Sequence, residues 1–289
     1  FKDWYEQHSI KLWEVVALLT IPLFKALAHA HQQGIIHRDV KPENVMIRSR
    51  DGSPVLMDFG IAHMVDSETL TATGAVIGSP AHMAPEVVNG ERLTEKADLF
   101  SMGTVLYWMT CGALPFVAPN PAALFRRILE ARFDPINTRR PDVLPSFAHL
   151  VESCMERDPQ RRPESALSIA ESLEDLLALA GIEDIDHTLS ELAHHPKQFQ
   201  QTWPQRLAPA YCQSSKRVLS EGDIYLSLEL SQRALILDPN SEDAEKLQRS
   251  ARKALRSQNS MMISKWSFVG IVIITALFLG NDLVQSHRS

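Results

Sequence analysis

The run His37-Arg38-Asp39-Val40-Lys41-Pro42-Glu43-Asn44-Val45, followed by Asp58-Phe59-Gly60, constrains this chain more than any other stretch. Between the two lie short β-branched or aliphatic runs, Val45-Met46-Ile47 and Val55-Leu56-Met57, separated by a polar segment holding Asp51-Gly52. That pattern predicts a β-hairpin folded about the Asp-Gly pair, which brings Asn44 roughly opposite Asp58. Two oxygen-bearing side chains then meet at one end of the ribbon, a hard-oxygen pair of the sort Mg²⁺ takes while keeping its waters and substrate phosphates. Asp39 sits five residues before Asn44 in a loop too polar and too Pro-interrupted for strand, so a further carboxylate faces the same mouth. One acid with no metal duty beside a two-ligand metal site points to phosphoryl transfer. The metal handles phosphate charge, and the spare carboxylate orients or deprotonates a hydroxyl.

With Ala84-Pro85-Glu86 downstream, the set His-Arg-Asp, Lys41, Asn44 and Asp-Phe-Gly closely resembles the protein kinases in order and spacing. Lys41-Pro42-Glu43-Asn44 has the form usual in serine/threonine kinases. The resemblance covers about Phe1 to Leu179 and implies the larger lobe, a mainly α fold with a short β-hairpin at the catalytic loop. It implies ATP and Mg²⁺ as cofactors and protein hydroxyls as substrates. Asp39 would be the base, Lys41 would steady the transferred phosphoryl charge, and Asn44 and Asp58 would hold the metal. Met46 would form the floor under the adenine, unless it is simply a strand core residue. Ser79 would position the substrate, and His37 would be a packing post beneath Phe59. Asp98 would bind backbone N–H groups of the catalytic loop, and Glu86 would form a buried ion pair with Arg162. His82 departs from the Tyr or Phe more usual before Met-Ala-Pro-Glu, which affects the substrate-side pocket and not the reaction. Neither a Gly-x-Gly-x-x-Gly loop nor a strand of Val-Ala-Ile-Lys type occurs in the sequence, so it reads as a fragment lacking the small N-terminal lobe.

The segment between Asp-Phe-Gly and Ala-Pro-Glu is polar and contains Thr71 and Thr73. Arg38, beside Asp39, reads as a guanidinium that would be buried without a partner, so it wants a bidentate anion. A phosphate on Thr71 or Thr73 would supply one and order the segment. The net charge of -6 gives no reason to expect nucleic acid as a partner. Cys111, Cys154 and Cys212 are odd in number and far apart, which reads as reduced thiols in a cytosolic compartment.

Helical spacing of Trp13, Val16, Ala17, Leu23, Leu27 and Ala30 predicts a helix-rich stretch from Asp3 to His31, with His29 and His31 on its solvent side. Asp98 to Met109 is apolar on nearly all sides, as a buried helix is. Residues 1–180 form the kinase-like lobe and 181–207 a helical, polar connector. Residues 208–258 carry Tyr211, Gly222-Asp223, Ala234 and Asp238-Pro239-Asn240 at the offsets of one tetratricopeptide-like helical hairpin, with Ser215 where a packing Gly is common. This tail either docks on the lobe or binds a peptide partner. Trp266 to Asn281 carries no charge; as a helix its sixteen residues span ~24 Å against a hydrocarbon thickness of ~30 Å. It predicts a transmembrane helix over 265–284 with a short tail at 285–289, the alternative being a buried core helix. Arg249, Arg252, Lys253, Arg256 and Lys265 precede it and only Arg288 follows, which places the lobe in the cytoplasm. A pseudokinase or scaffold that uses the lobe for binding is the rival to an active enzyme.

Overall fold

In a computed structural model, residues 1–8, 12–59 and 80–258 are described, apart from the side chain of Gln200. The fold is mainly helical. The first helices are α1 (Lys2–His8) and α2 (Trp13–Gln32), followed by a two-stranded ribbon, β1 (Val45–Ile47) and β2 (Pro54–Leu56). The lobe continues with α3 (Pro85–Val88), α4 (Glu95–Cys111), α5 (Pro121–Leu129), α6 (Ile136–Arg139), α7 (Pro145–Cys154) and α8 (Ala166–Leu179). Beyond it lie α9 (Ile185–His194), α10 (Pro196–Ser220), α11 (Ile224–Leu237) and a helix over 242–258, here α12.

Two apolar helices make the centre. From Trp13 to Leu27, α2 is buried on nearly every side, and it packs against α8, α4 and β2. It is the one helix among the described residues long and apolar enough to cross a membrane, but 78% of its apolar window is buried inside the protein. It is therefore a core helix. The predicted span near the C-terminus lies outside the described residues. The other central helix, α4, starts at the cap of Thr94, whose side chain accepts from the Lys96 amide, and ends at Gly112 in the left-handed region (φ 69°). Every residue from Ala97 to Thr110 is buried. At Gly103 a Cβ would sit 2.8 Å from Cys154 Cβ, so a hydrogen is what lets α7 approach this closely.

The ribbon is antiparallel, with Val45 opposite Leu56 and Met46 opposite Val55. This is one residue out from the expected pairing. The same register places Asn44 opposite Met57, whose amide donates to the Asn44 carbonyl at 2.8 Å, and Asp58 is the next residue along. The cause is the turn. Arg48 and Ser53 close a four-residue loop through Arg48 N–H to Ser53 O at 2.9 Å, and the Gly52 amide returns to Arg48 O at 2.8 Å. Asp51-Gly52 is thus the end of a longer loop and not the whole of a two-residue turn.

Arg162 lies across from Glu86 on α3 and donates to both its oxygens, at 2.7 and 2.8 Å, with both side chains buried. The guanidinium also reaches the carbonyls of Glu156 and Lys96 and lies 5.0 Å from the Phe100 ring. Its donors are therefore satisfied, the condition under which a buried pair is tolerable; removing one partner costs about 3–5 kcal/mol.

The segment after α8 is more regular than a connector. α10 runs unbroken for 25 residues through Pro204 and Pro209, so the boundary expected at 207/208 falls inside a helix. Ser215 on α10 is fully buried, and its hydroxyl reaches the Ser227 carbonyl and hydroxyl, both at 2.9 Å, which closes the α10–α11 hairpin. This hairpin docks on the lobe through a buried ion pair. Arg233 of α11 donates to both oxygens of Glu14 on α2, at 2.8 and 2.7 Å, while the Tyr211 hydroxyl of α10 donates to Glu14 at 2.8 Å. Arg233 also bonds the Asp142 carbonyl, and Glu229 accepts from the amide and hydroxyl of Ser146 at the start of α7. Of the two roles expected for the tail, docking is the one these contacts display.

Candidate active site

The loop that carries Asp39 starts where α2 ends, at Gly34 with φ 73°. Residues 35–40 adopt no regular structure, so their amides look to side chains for acceptors. Asp98, in the first turn of α4 and 1% exposed, supplies them. Its Oδ2 accepts from the His37 amide at 2.8 Å and its Oδ1 from the Arg38 amide at 2.9 Å. His31 joins the same carboxylate, its Nε2 lying 2.8 Å from Asp98 Oδ2. The helical pattern puts His29 and His31 together on the solvent side; His29 is exposed, but His31 turns in toward Asp98. Nothing local in the sequence marks this, since the partner lies on another helix.

Arg38 takes φ 71°, a left-handed conformation rare for a residue with a side chain. Arg38 is exposed, not buried as expected, so burial creates no demand for an anion. Thr71, Thr73, Ser79 and Gly60 lie outside the described residues.

Two side chains converge on Asp39. Lys41 Nζ donates to Asp39 Oδ2 at 2.6 Å, and Asn44 Nδ2 donates to the same oxygen at 2.9 Å and to the Asp39 carbonyl at 2.7 Å. The short turn Pro42–Asn44 makes this possible by folding Asn44 back over the loop. Behind them, His37 ties the loop to the ribbon. Its Nε2 donates to the Met57 carbonyl at 2.8 Å, which leaves Nδ1 to accept from the Asp39 amide at 3.3 Å. Its ring packs on Phe59, with centroids 4.6 Å apart.

The donor chemistry fits a hard divalent cation. The Asn44 amide nitrogen is committed to Asp39, so Oδ1 is the atom left to act as a ligand, and Asp58 presents an exposed carboxylate two positions beyond the end of β2. Asp58 is held at φ 57°, a second left-handed residue beside the site. Met46, on β1, is 56% exposed, which removes the alternative that it is a strand core residue.

A family model described as protein kinase domain matches residues 1–174. Among curated proteins, the chain is 34% identical over 175 residues to a probable serine/threonine-protein kinase of Clostridium perfringens, covering 61% of this chain and 25% of that protein. It is 36% identical over 160 residues to serine/threonine-protein kinase pkn3 of Myxococcus xanthus, covering 52% of this chain and 29% of the relative. Against serine/threonine-protein kinase PkaA of Streptomyces coelicolor the identity is 37% over 160 residues, covering 54% and 28%. The chain thus spans between a quarter and a third of the length of these relatives.

His82, at the end of the short turn Pro80–His82, is 7% exposed. The Thr104 hydroxyl donates to Ser101 O at 2.7 Å, so the His82 Nδ1 that lies 2.6 Å from it must be the donor of that pair. Burial pushes the ring down to about 4; Glu43 and Asp39 pull upward, and Lys2 and Lys41 push further down. Between pH 6.5 and about 4 the unfolded chain therefore binds a proton that the folded protein refuses. Stability from this ring is complete above pH 6.5 and falls as pH drops through that window, by at most about 1.4 kcal/mol per unit. In urea melts from pH 6.5 to 4.5, a His82→Phe variant should lose stability less steeply than the parent. Equal slopes would mean the ring is not held neutral.

Proposed function

Because the chain belongs to the protein kinase family, we propose that it transfers the terminal phosphoryl group of ATP to serine or threonine hydroxyls of proteins. The observation that carries this reading is the Asp39 carboxylate, clamped on one oxygen by Lys41 and Asn44. An acid oriented so tightly is suited to receive and align an alcohol, lowering the entropy cost of attack and taking its proton as the bond forms. Lys41 lies within hydrogen-bond reach of that acid, where its charge offsets the negative charge that builds on the transferred group. Asn44 would have two duties: its nitrogen fixes Asp39, and its oxygen would be a ligand for the metal. Asn44 and Asp58 would hold Mg²⁺, which neutralises phosphate charge when bound with the nucleotide. His37 keeps the two halves in step, because it bonds both the Asp39 amide and the carbonyl next to Asp58.

The preference for serine and threonine is supported by Lys41 in the Lys-Pro-Glu-Asn run and by the names of the relatives. In the full-length protein, Asp39→Asn should lower kcat for transfer from ATP to a generic acceptor such as casein by ~10²–10⁴. A variant that retained the parent rate, or a parent that transferred no phosphate, would overturn the assignment.

The uncharged run from Trp266 to Asn281, with basic residues concentrated before it, supports a single membrane crossing that leaves the catalytic lobe in the cytoplasm. The intact protein should sediment with membranes and be released only by detergent. Recovery in the soluble fraction would contradict the crossing.

A further inference from the structure

The family match stops at residue 174, yet the first helix beyond it touches the ribbon that carries the metal-side residues. Gly52, at φ 71° in the β1–β2 loop, is buried against α9. A Cβ built on it would collide with the Ala193 Cβ and stand 3.1 Å from the Leu189 carbonyl oxygen. The contact is close because glycine serves twice here, allowing the left-handed turn and leaving room for a helix. Asp186, in the first turn of α9, adds its field at Arg48, the residue whose backbone closes the same loop.

α9 is itself fixed from behind. Leu189 and Leu192 are each 1% exposed in the common core, and Glu191 pairs with Arg206 of α10 at 2.9 Å. α10 then reaches Glu14 through Tyr211, and α11 reaches it through Arg233. The ribbon is short, three paired residues per strand, so a constraint on its loop end is felt at the other end. That other end carries Asn44 and leads into Asp58.

We propose that Leu189 and Ala193 of α9 are positioning residues for phosphoryl transfer: they pin the loop end of the ribbon and thereby set where Asn44 and Asp58 stand. The tail is on this account a brace in cis for the catalytic lobe. The inference rests on the kinase reading for its functional consequence, though not for its structural one.

The test uses the full-length protein with Ala193→Glu, which wedges a charged chain between α9 and Gly52, and Ala193→Gly, which removes only the contacting methyl. Amide exchange over 45–56 should speed up about tenfold in both without loss of the overall fold. The concentration of Mg·ATP for half-maximal rate should rise about threefold while KM for the casein acceptor stays put, a split that general destabilisation would not produce. If Ala193→Glu fails to fold, Ala193→Gly carries the test alone. Faster exchange in α9 with unchanged exchange over 45–56 and unchanged Mg·ATP dependence would overturn the brace. A parent protein that transfers no phosphate would sink the kinase reading instead, and the exchange over 45–56 would still decide whether α9 holds the ribbon.

Discussion

The buried carboxylate of Asp98 is the interaction on which the site depends. It sits at the start of a helix with no polar face, so it has no water to fall back on, and it takes three donors from the segment that ends α2 and begins the catalytic loop. A loop crossing the core edge has amides that nothing else satisfies, and leaving one unpaired costs about 1–3 kcal/mol. Holding the amides of His37 and Arg38 at once turns the chain sharply, with Arg38 left-handed, and the next residue is Asp39. The acid therefore faces its partners because of a second acid 59 positions later in the chain, on a rigid helix.

From that point the geometry spreads through hydrogen bonds of definite direction. Asp39 is gripped by Lys41 and Asn44, Asn44 immediately precedes β1, and Met57 at the end of the ribbon bonds both the Asn44 carbonyl and the His37 ring. Two buried ion pairs then close the body over long sequence distances, Glu86 with Arg162 inside the lobe and Glu14 with Arg233 between lobe and tail. In each the arginine also donates to carbonyls, and Tyr211 donates to the Glu14 carboxylate, so both specify which surfaces meet even where their net contribution to stability is small.

Much of this was legible in the residues. The two strand runs and the apolar stretch of α4 carry strong local patterns, and the motif singles out Asp39 with Lys41 and Asn44, which the structure brings within hydrogen-bond reach of it. What local pattern cannot give is register and distant partners. The Asp51-Gly52 pair suggested a two-residue turn, but Arg48 and Ser53 close a longer one, and the single-residue shift puts Met57 across from Asn44. His31 looked like ordinary helix polarity because its partner is on α4. Arg38, beside Asp39, looked buried, whereas it is left-handed and exposed. Glu14 did leave a signal that went unread. A lone acid within Trp13-Glu14-Val15-Val16-Ala17-Leu18-Leu19 can be buried only with a cation, and Arg233 provides it from 219 positions away.

The most direct measurement is amide exchange at His37 and Arg38 in an Asp98→Asn variant. An amide side chain keeps one acceptor oxygen and replaces the other with a donor, so at least one of the two amides loses its partner. Exchange at that position should quicken by roughly 5- to 150-fold, the equivalent of about 1–3 kcal/mol, while Leu99 to Met109 in α4 keep their protection. Unchanged exchange at both amides would mean that something other than the buried acid orients the catalytic loop.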